Sequence, residues 1–73
     1  MRGTKYVATF GDLTARERQV ANLVAEGLSN KGIGQRLKVT EGTVKLHVHS
    51  IYRKLELSGR AALVALVIKK AMN

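Results

Sequence analysis

The chain of 73 residues contains no cysteine and no proline. Without cysteine it can form neither a disulfide framework nor a cysteine-based zinc finger, and nothing points to an oxidising compartment. Without proline, glycines and polar capping residues must mark the ends of its helices. So short a chain holds one domain and lacks the second lobe that would form a deep cleft, which argues against an enzyme.

Acidic side chains and long apolar runs are also scarce. Five Asp and Glu face 13 Lys and Arg, which gives a formal net charge of +8. An excess of this size predicts a polyanionic partner, and nucleic acid is the commonest one. No apolar run approaches the roughly 20 residues of a membrane-spanning helix, and no apolar signal core follows Met1. We therefore expect a soluble, cytoplasmic protein that does not bind membranes.

Capping residues and glycines divide the chain into four predicted helices. Residues 1–11 show no helical period, and we interpret them as a flexible lead or linker before a domain at 12–73. Thr14 and Glu17 have the spacing of a capping box, so the first helix is expected to begin there, and Gly27 offers its end. Ser29 or Asn30 can cap a shorter second helix.

The second helix contains two glycines, Gly32 and Gly34. Each costs a helix about 0.5–1 kcal/mol relative to alanine. Only tertiary packing can hold so short and glycine-rich a helix, with Lys38 and Val39 forming the turn that follows it.

Thr40 is expected to cap a third helix that runs from about Glu41 to Leu55. Its apolar side chains recur at i, i+4, i+7 and i+11 and predict a stripe that faces the core: Val44, Val48, Ile51 and Leu55. The side chains predicted on the opposite side, none of them acidic, are Lys45, Leu46, His49, Ser50 and Arg53. A short helix, a tight turn and a helix with a basic outer face form the helix-turn-helix arrangement, whose second helix fits the major groove of DNA.

A fourth helix is predicted at residues 59–72, apolar at nearly every position except Lys69 and Lys70. A helix that is apolar around most of its circumference must bury more than one face. We expect one face to pack on the core and Leu66 and Ile68 to point outward, because Leu63 and Val67 share a face.

This fourth helix leaves two other functions to weigh. A basic amphipathic helix can bind a membrane surface, but here the two lysines lie together at the end of the helix. A helical protein-interaction or dimerisation module that acts through residues 59–72 is the alternative to DNA binding, and the two can coexist.

Four sequence blocks resemble the LuxR/FixJ-type (GerE-like) helix-turn-helix domain of bacterial transcriptional regulators. They are LTARER at 13–18, EGLSNK at 26–31, TVKLH at 43–47 and RKL at 53–55. The resemblance extends over about residues 12–70, and the four blocks are specific in combination because they occur in the family's order and spacing.

The resemblance implies an all-α, bundle-like domain of four helices that binds double-stranded DNA without a cofactor, a metal or a small molecule. It is the output domain of response regulators, quorum sensors and some stand-alone regulators. By this resemblance Lys45, Leu46 and His49 contact bases, and Lys31, Thr43 and Arg53 lie near the DNA backbone. The fourth helix is expected to form a homodimer through Val64, Leu66 and Ile68, and RNA polymerase is a further partner to be expected.

Several of these residues also have simpler interpretations. Leu46 is equally consistent with an incidental exposed leucine and with contact to a thymine methyl group. Arg16 and Arg18 are equally consistent with phosphate contacts and with solvated charges. His47 and His49 stand two residues apart, so they point in different directions on a helix and are not expected to share a metal ion. We expect His47 at the edge of the core.

Overall fold

The computed structural model describes residues 8–72, and within that range the chain forms four α-helices and one short 3-10 turn, with no strand. The elements are the 3-10 turn Phe10–Asp12 and the helices α1 (Ala15–Ala25), α2 (Asn30–Leu37), α3 (Glu41–Leu55) and α4 (Arg60–Met72). The predicted all-α, four-helix class is confirmed, and α3 has the predicted bounds.

Hydroxyl side chains cap the first three helices, as the sequence predicts. The Thr14 hydroxyl accepts from the Glu17 amide at 3.1 Å, and the Glu17 carboxylate accepts from the Thr14 amide at 2.9 Å. Ser29 caps α2 through the Gly32 amide, at 3.0 Å. These bonds satisfy amides that have no partner inside the helix.

Three residues with positive φ end the same helices. Gly27 follows α1 with a φ of 97°, Lys38 ends α2 at 61° and Glu56 ends α3 at 54°. This left-handed conformation favours glycine, and it costs other residues about 1–2 kcal/mol. Only the first of the three positions therefore carries the residue type that its backbone favours.

The core lies where α1 packs against the other three helices and α2 packs against α3. The predicted stripe of α3 is buried, as are apolar residues from every other helix. The largest side chains that are completely buried are Val20, Val24, Ile33, Val44, Ile51 and Leu63. α3 is thereby fixed along one side, and its opposite side faces outward.

Phe10 belongs to this core, although the predicted flexible lead included it. Its side chain is 9% exposed, and the Lys70 ammonium lies 5.5 Å from the centre of its ring. The Thr9 amide donates to the Asp12 carboxylate at 2.6 Å and fixes the turn around it. The folded body thus begins before Asp12, and the predicted lead is wrong at Phe10; residues 1–7 lie outside the described residues.

Candidate nucleic-acid interface

The outer side of α3 presents Lys45, Leu46, His49 and Arg53, all of them exposed. Leu46 is 73% exposed, on the side of α3 opposite the buried stripe. A long cation, an imidazole and an apolar group therefore lie along one accessible side of one helix. This combination can donate to base edges and contact a methyl group in a groove.

The first turn of α3 carries two linked threonines. The Thr40 and Thr43 hydroxyl oxygens lie 2.9 Å apart, and the Thr40 oxygen also accepts from the Thr43 amide at 3.1 Å. One hydroxyl donates to the other, so a single hydroxyl hydrogen of the pair is left for an outside acceptor. Thr43 is half-buried, and the pair lies at the helix N-terminus, where an anion is favoured.

Three exposed cations of α2 and its turn extend the basic surface beyond α3. Lys31 lies in the first turn of α2, Arg36 in its last turn, and Lys38 in the left-handed residue that ends the helix. Lys31 was expected near the DNA backbone, whereas Arg36 and Lys38 were not singled out. Their place beside the turn of a helix-turn-helix is the sequence signal that would have found them.

Gly34 allows this turn to lie close to α2. A Cβ atom built on Gly34 would stand 2.7 Å from the backbone carbonyl oxygen of Val39. No side chain fits there without a movement of the backbone. The glycine that weakens α2 as a helix thus lets the α2–α3 turn close.

The inner flank of α3 is held by Glu17, a carboxylate that is 5% exposed. Ser50 Oγ donates to its Oε2 at 2.8 Å, and Lys54 Nζ donates to its Oε1 at 2.8 Å. Thr14 also donates to Oε1 through its backbone amide. Both carboxylate oxygens are therefore engaged, one of them by two donors.

These donors decide the ionisation of Glu17. Burial alone would raise its pKa, but the hydrogen bonds from Lys54, the Thr14 amide and Ser50, with the charge of Lys54, outweigh burial and lower the pKa to about 2. Glu17 is therefore ionised at neutral pH and holds α3 as a charged acceptor.

Ser50 is not on the outer side of α3, where the helical wheel placed it. It is half-buried and bound to Glu17 on α1. The wheel located only the core stripe of α3, whereas α1 also covers the flank beside that stripe. His47, expected at the edge of the core, is half-buried.

Several cations are bound within the protein. Arg18 Nη1 donates to the Leu13 carbonyl oxygen at 2.6 Å. Arg60 donates to the Asn30 side chain at 3.2 Å and to the Leu28 carbonyl oxygen, and so ties the start of α4 to the start of α2 and to the loop before it. These two arginines are therefore less available to an outside anion than the exposed cations of α2 and α3 are.

On α4, Ile68 is 50% exposed, as expected, and Met72 is 81% exposed. Leu66, by contrast, packs against the core and lines a groove of about 410 Å³ beside Phe10 and Leu55, so its predicted outward position is wrong. Val64 is also half-buried against the core. Of the three residues predicted for dimerisation, Ile68 is the one that lies mainly outside.

Two further observations concern residues 8–72 as a whole. No helix in this range is long and apolar enough to cross a membrane. No three His, Asp or Glu side chains in the same range are grouped so that they could hold a metal ion.

Comparison with known proteins agrees with this arrangement. The model of the GerE family, described as bacterial regulatory proteins of the luxR family, matches residues 12–67. The nitrate/nitrite response regulator protein NarL of Escherichia coli K12 is 50% identical over 48 residues, which are 66% of this chain and 22% of NarL.

Two other relatives match a longer part of the chain. The nitrate/nitrite response regulator protein NarP of Escherichia coli K12 is 41% identical over 61 residues, 84% of this chain and 28% of NarP. The monoamine regulon transcriptional regulator of Klebsiella aerogenes is 43% identical over 53 residues, 73% of this chain and 23% of that protein.

The chain thus spans less than a third of the length of each of these relatives. The family is one of DNA-binding regulator domains and not a family of enzymes. The matched residues include α1, α2 and α3 in full, and with them the whole outer surface of the helix-turn-helix. The chain belongs to the luxR family of bacterial regulatory proteins and is a DNA-binding helix-turn-helix domain of that family.

Proposed function

We propose that this domain binds double-stranded DNA sequence-specifically, with α3 in the major groove. The observation that carries the proposal is the shared exposure of Lys45, Leu46 and His49 on the outer side of a helix whose other side is buried. The major groove admits one α-helix, so these side chains are the ones that reach base edges.

Each of the three side chains suits a different feature of a base pair. The Lys45 ammonium donates to the O6 and N7 acceptors of guanine, and Leu46 contacts the methyl group of thymine. The His49 imidazole can donate or accept, according to its protonation and tautomer. Together they distinguish base pairs by charge, hydrogen bonding and shape.

Contacts to phosphates fix the position of the domain on the duplex. Arg53 lies on α3 beyond His49, Lys31 lies in the first turn of α2, and the Thr40–Thr43 pair has one hydroxyl hydrogen to donate. We assign Lys31, Thr43 and Arg53 to the DNA backbone.

Further parts of the proposal concern the regulator as a whole. The domain acts as the output domain of a bacterial transcriptional regulator in the cytoplasm, where bacterial DNA lies. It binds DNA as a homodimer through α4, and RNA polymerase is a partner of the bound regulator. No step of this function uses a small molecule or a catalytic group in this domain.

A second function is favoured by the exposure of Ile68 and Met72 on α4. An apolar surface of this kind suits a protein-interaction module, with a second copy of the chain as its first candidate partner. This activity is compatible with DNA binding, because α4 and the outer side of α3 are different surfaces.

The test is to select bound sequences from random double-stranded DNA and then to titrate salt. Five exposed cations other than the base-reading Lys45 are available to phosphates: Arg16 on α1, Lys31, Arg36 and Lys38 on α2 and its turn, and Arg53 on α3. At ~0.9 released counterions per phosphate contact, about five contacts give a slope of log K against log salt of roughly −4 to −5. A slope near zero, or no enriched sequence, contradicts the proposal.

A further inference from the structure

Glu17, Ser50 and Lys54, the Glu17 cluster from here on, are the polar attachment of α3 to α1. The carboxylate of Glu17 is itself fixed, because its Oε1 accepts from the Thr14 amide at the N-terminus of α1. Ser50 and Lys54 stand four residues apart and therefore lie one turn apart on the same flank of α3. One rigid carboxylate thus holds α3 at two points.

This attachment differs in kind from the packing around it. The core contacts of α3 come from Val44, Val48, Ile51 and Leu55, and apolar burial has no preferred direction. Close packing of aliphatic side chains opposes a small rotation of the helix about its axis only through their shape, and it holds no bond that such a rotation would break. A hydrogen bond forms only over a narrow range of donor–acceptor distance, about 2.7–3.2 Å, so the two bonds to Glu17 oppose a rotation that moves their donors by about 1 Å.

The held residues lie next to the residues that meet DNA. Ser50 directly follows His49, and Lys54 directly follows Arg53. Side chains extend about 5–6 Å from the axis of a helix, so a rotation of about 10° moves their ends by about 1 Å. A hydrogen bond to a base edge forms at distances of about 2.7–3.2 Å, and a displacement of about 1 Å is larger than the width of that range.

We propose, on the basis of the DNA-reading function above, that Glu17 is a positioning residue for base recognition, which sets the rotation of α3 through Ser50 and Lys54. The cluster acts on the discrimination between DNA sequences. It makes no contact with DNA.

The same geometry gives two neighbouring cations opposite roles. Arg53 is exposed, whereas the Lys54 ammonium is bound to a nearly buried carboxylate at 2.8 Å. To reach a phosphate, Lys54 would have to leave Glu17 as an unpaired charge in a desolvated site, which is strongly unfavourable. Lys54 therefore contributes to the position of α3 and adds no released counterion.

The experiment compares variants of the full chain on two readouts: the salt slope, and the ratio of affinities for the selected sequence and for random DNA. The test variants are Ser50→Ala and Lys54→Gln. Arg53→Gln is the matched control beside Lys54, and Lys69→Gln is the control for loss of an exposed lysine from α4. Far-UV circular dichroism measures the helical content of each variant, and binding is compared at a temperature at which every variant is folded.

We expect Ser50→Ala and Lys54→Gln to lower the affinity ratio about three- to tenfold, the size of one net hydrogen bond, at an unchanged salt slope. Arg53→Gln should reduce the magnitude of the slope by ~0.9 and keep the ratio. Lys69→Gln should keep the ratio as well. If Lys54→Gln does not fold, Ser50→Ala carries the test, because it removes a single hydroxyl.

The positioning role is overturned if folded Ser50→Ala and Lys54→Gln keep the wild-type ratio. It is equally overturned if Lys54→Gln reduces the slope as Arg53→Gln does, since Lys54 would then be a phosphate contact. In both cases the wild-type chain still discriminates between sequences, and the proposed function stands. Failure of the wild-type chain to discriminate overturns the proposed function and the positioning role together.

Discussion

Lys54 and Glu17 join the end of the outward-facing helix to the start of the first helix, with 2.8 Å between Nζ and Oε1. Glu17 is also one half of the capping box with Thr14. The same carboxylate therefore starts α1 and attaches α3 to it. Because Lys54 keeps 37% of its side chain exposed, the pair costs less desolvation than two buried charges would.

Acid should destabilise the domain through Glu17. The pKa of this carboxyl falls from an ordinary value of 4.5 to about 2 in the folded chain, so the folded state binds its proton less readily than the unfolded state. Its contribution is fully present above pH 4.5 and is lost as the pH falls towards 2. A difference of this size corresponds to about 3 kcal/mol in the free energy of unfolding.

Urea unfolding at a series of pH values measures this contribution. Glu17→Gln keeps a residue that can complete the capping box but cannot ionise, so its stability should vary much less between pH 4.5 and 2. Glu26→Gln, which removes an exposed carboxylate from the end of α1, should keep the wild-type profile. If Glu17→Gln has the same pH profile as the wild type, the loss of stability in acid comes from other titrating groups.

Lys45 and Arg53 should differ in what they contribute to binding. Lys45→Ala should cost about 1–3 kcal/mol on the selected sequence and flatten the discrimination between sequences, because a base contact is lost. Arg53→Ala should weaken binding to all sequences by a similar factor, because a phosphate contact carries no sequence information. Equilibrium binding to selected and random duplexes measures both effects.

The control for these two variants is Lys69→Ala, which removes the same charge from an exposed position on α4. It should leave the discrimination between sequences intact. If Lys45→Ala lowers the affinity for selected and random DNA by the same factor, the assignment of Lys45 to a base is wrong.

Local signals in the sequence predicted most of the fold. The capping pairs Thr14–Glu17 and Thr40–Thr43 stand three residues apart, and Gly27 ends α1 by its own conformation. Such features involve residues within one helical turn of each other, so they can be recognised directly in the sequence. The buried stripe of α3 could be predicted equally well, because its side chains all face one core and therefore recur with the period of the helix.

The parts that the sequence did not predict depend on contacts between distant residues. Ser50 and Glu17 are 33 positions apart, and no period relates them. Phe10 stands in a stretch without periodicity, so nothing marked it as a core residue. Leu66 lies in a helix that is apolar almost throughout, where the pattern cannot separate the face on the core from the face outside.

The two glycines of α2 should respond oppositely to alanine. At Gly32 a Cβ atom meets nothing nearer than Ser29 Oγ at 3.4 Å, an ordinary contact, so Gly32→Ala should stabilise the domain by about 0.5–1 kcal/mol. At Gly34 it meets the Val39 carbonyl oxygen at 2.7 Å and must displace the turn, so Gly34→Ala should lower the free energy of unfolding. Urea unfolding of the two variants tests the difference, and an equal gain in both would contradict the close turn.

Dimerisation on DNA should depend on Ile68 and not on Leu66. Ile68 is 50% exposed, so Ile68→Glu should keep the helical circular dichroism and the affinity for one half-site. It should abolish cooperative binding to two half-sites centred roughly 10–10.5 base pairs apart, because a charge at an apolar interface between two copies is left desolvated. Leu66→Glu should instead destabilise the fold, since Leu66 packs against the core beside Phe10. Gln19→Glu adds the same charge at an exposed position of α1 and should remain cooperative. If Ile68→Glu folds and binds with undiminished cooperativity, the two copies meet through another surface.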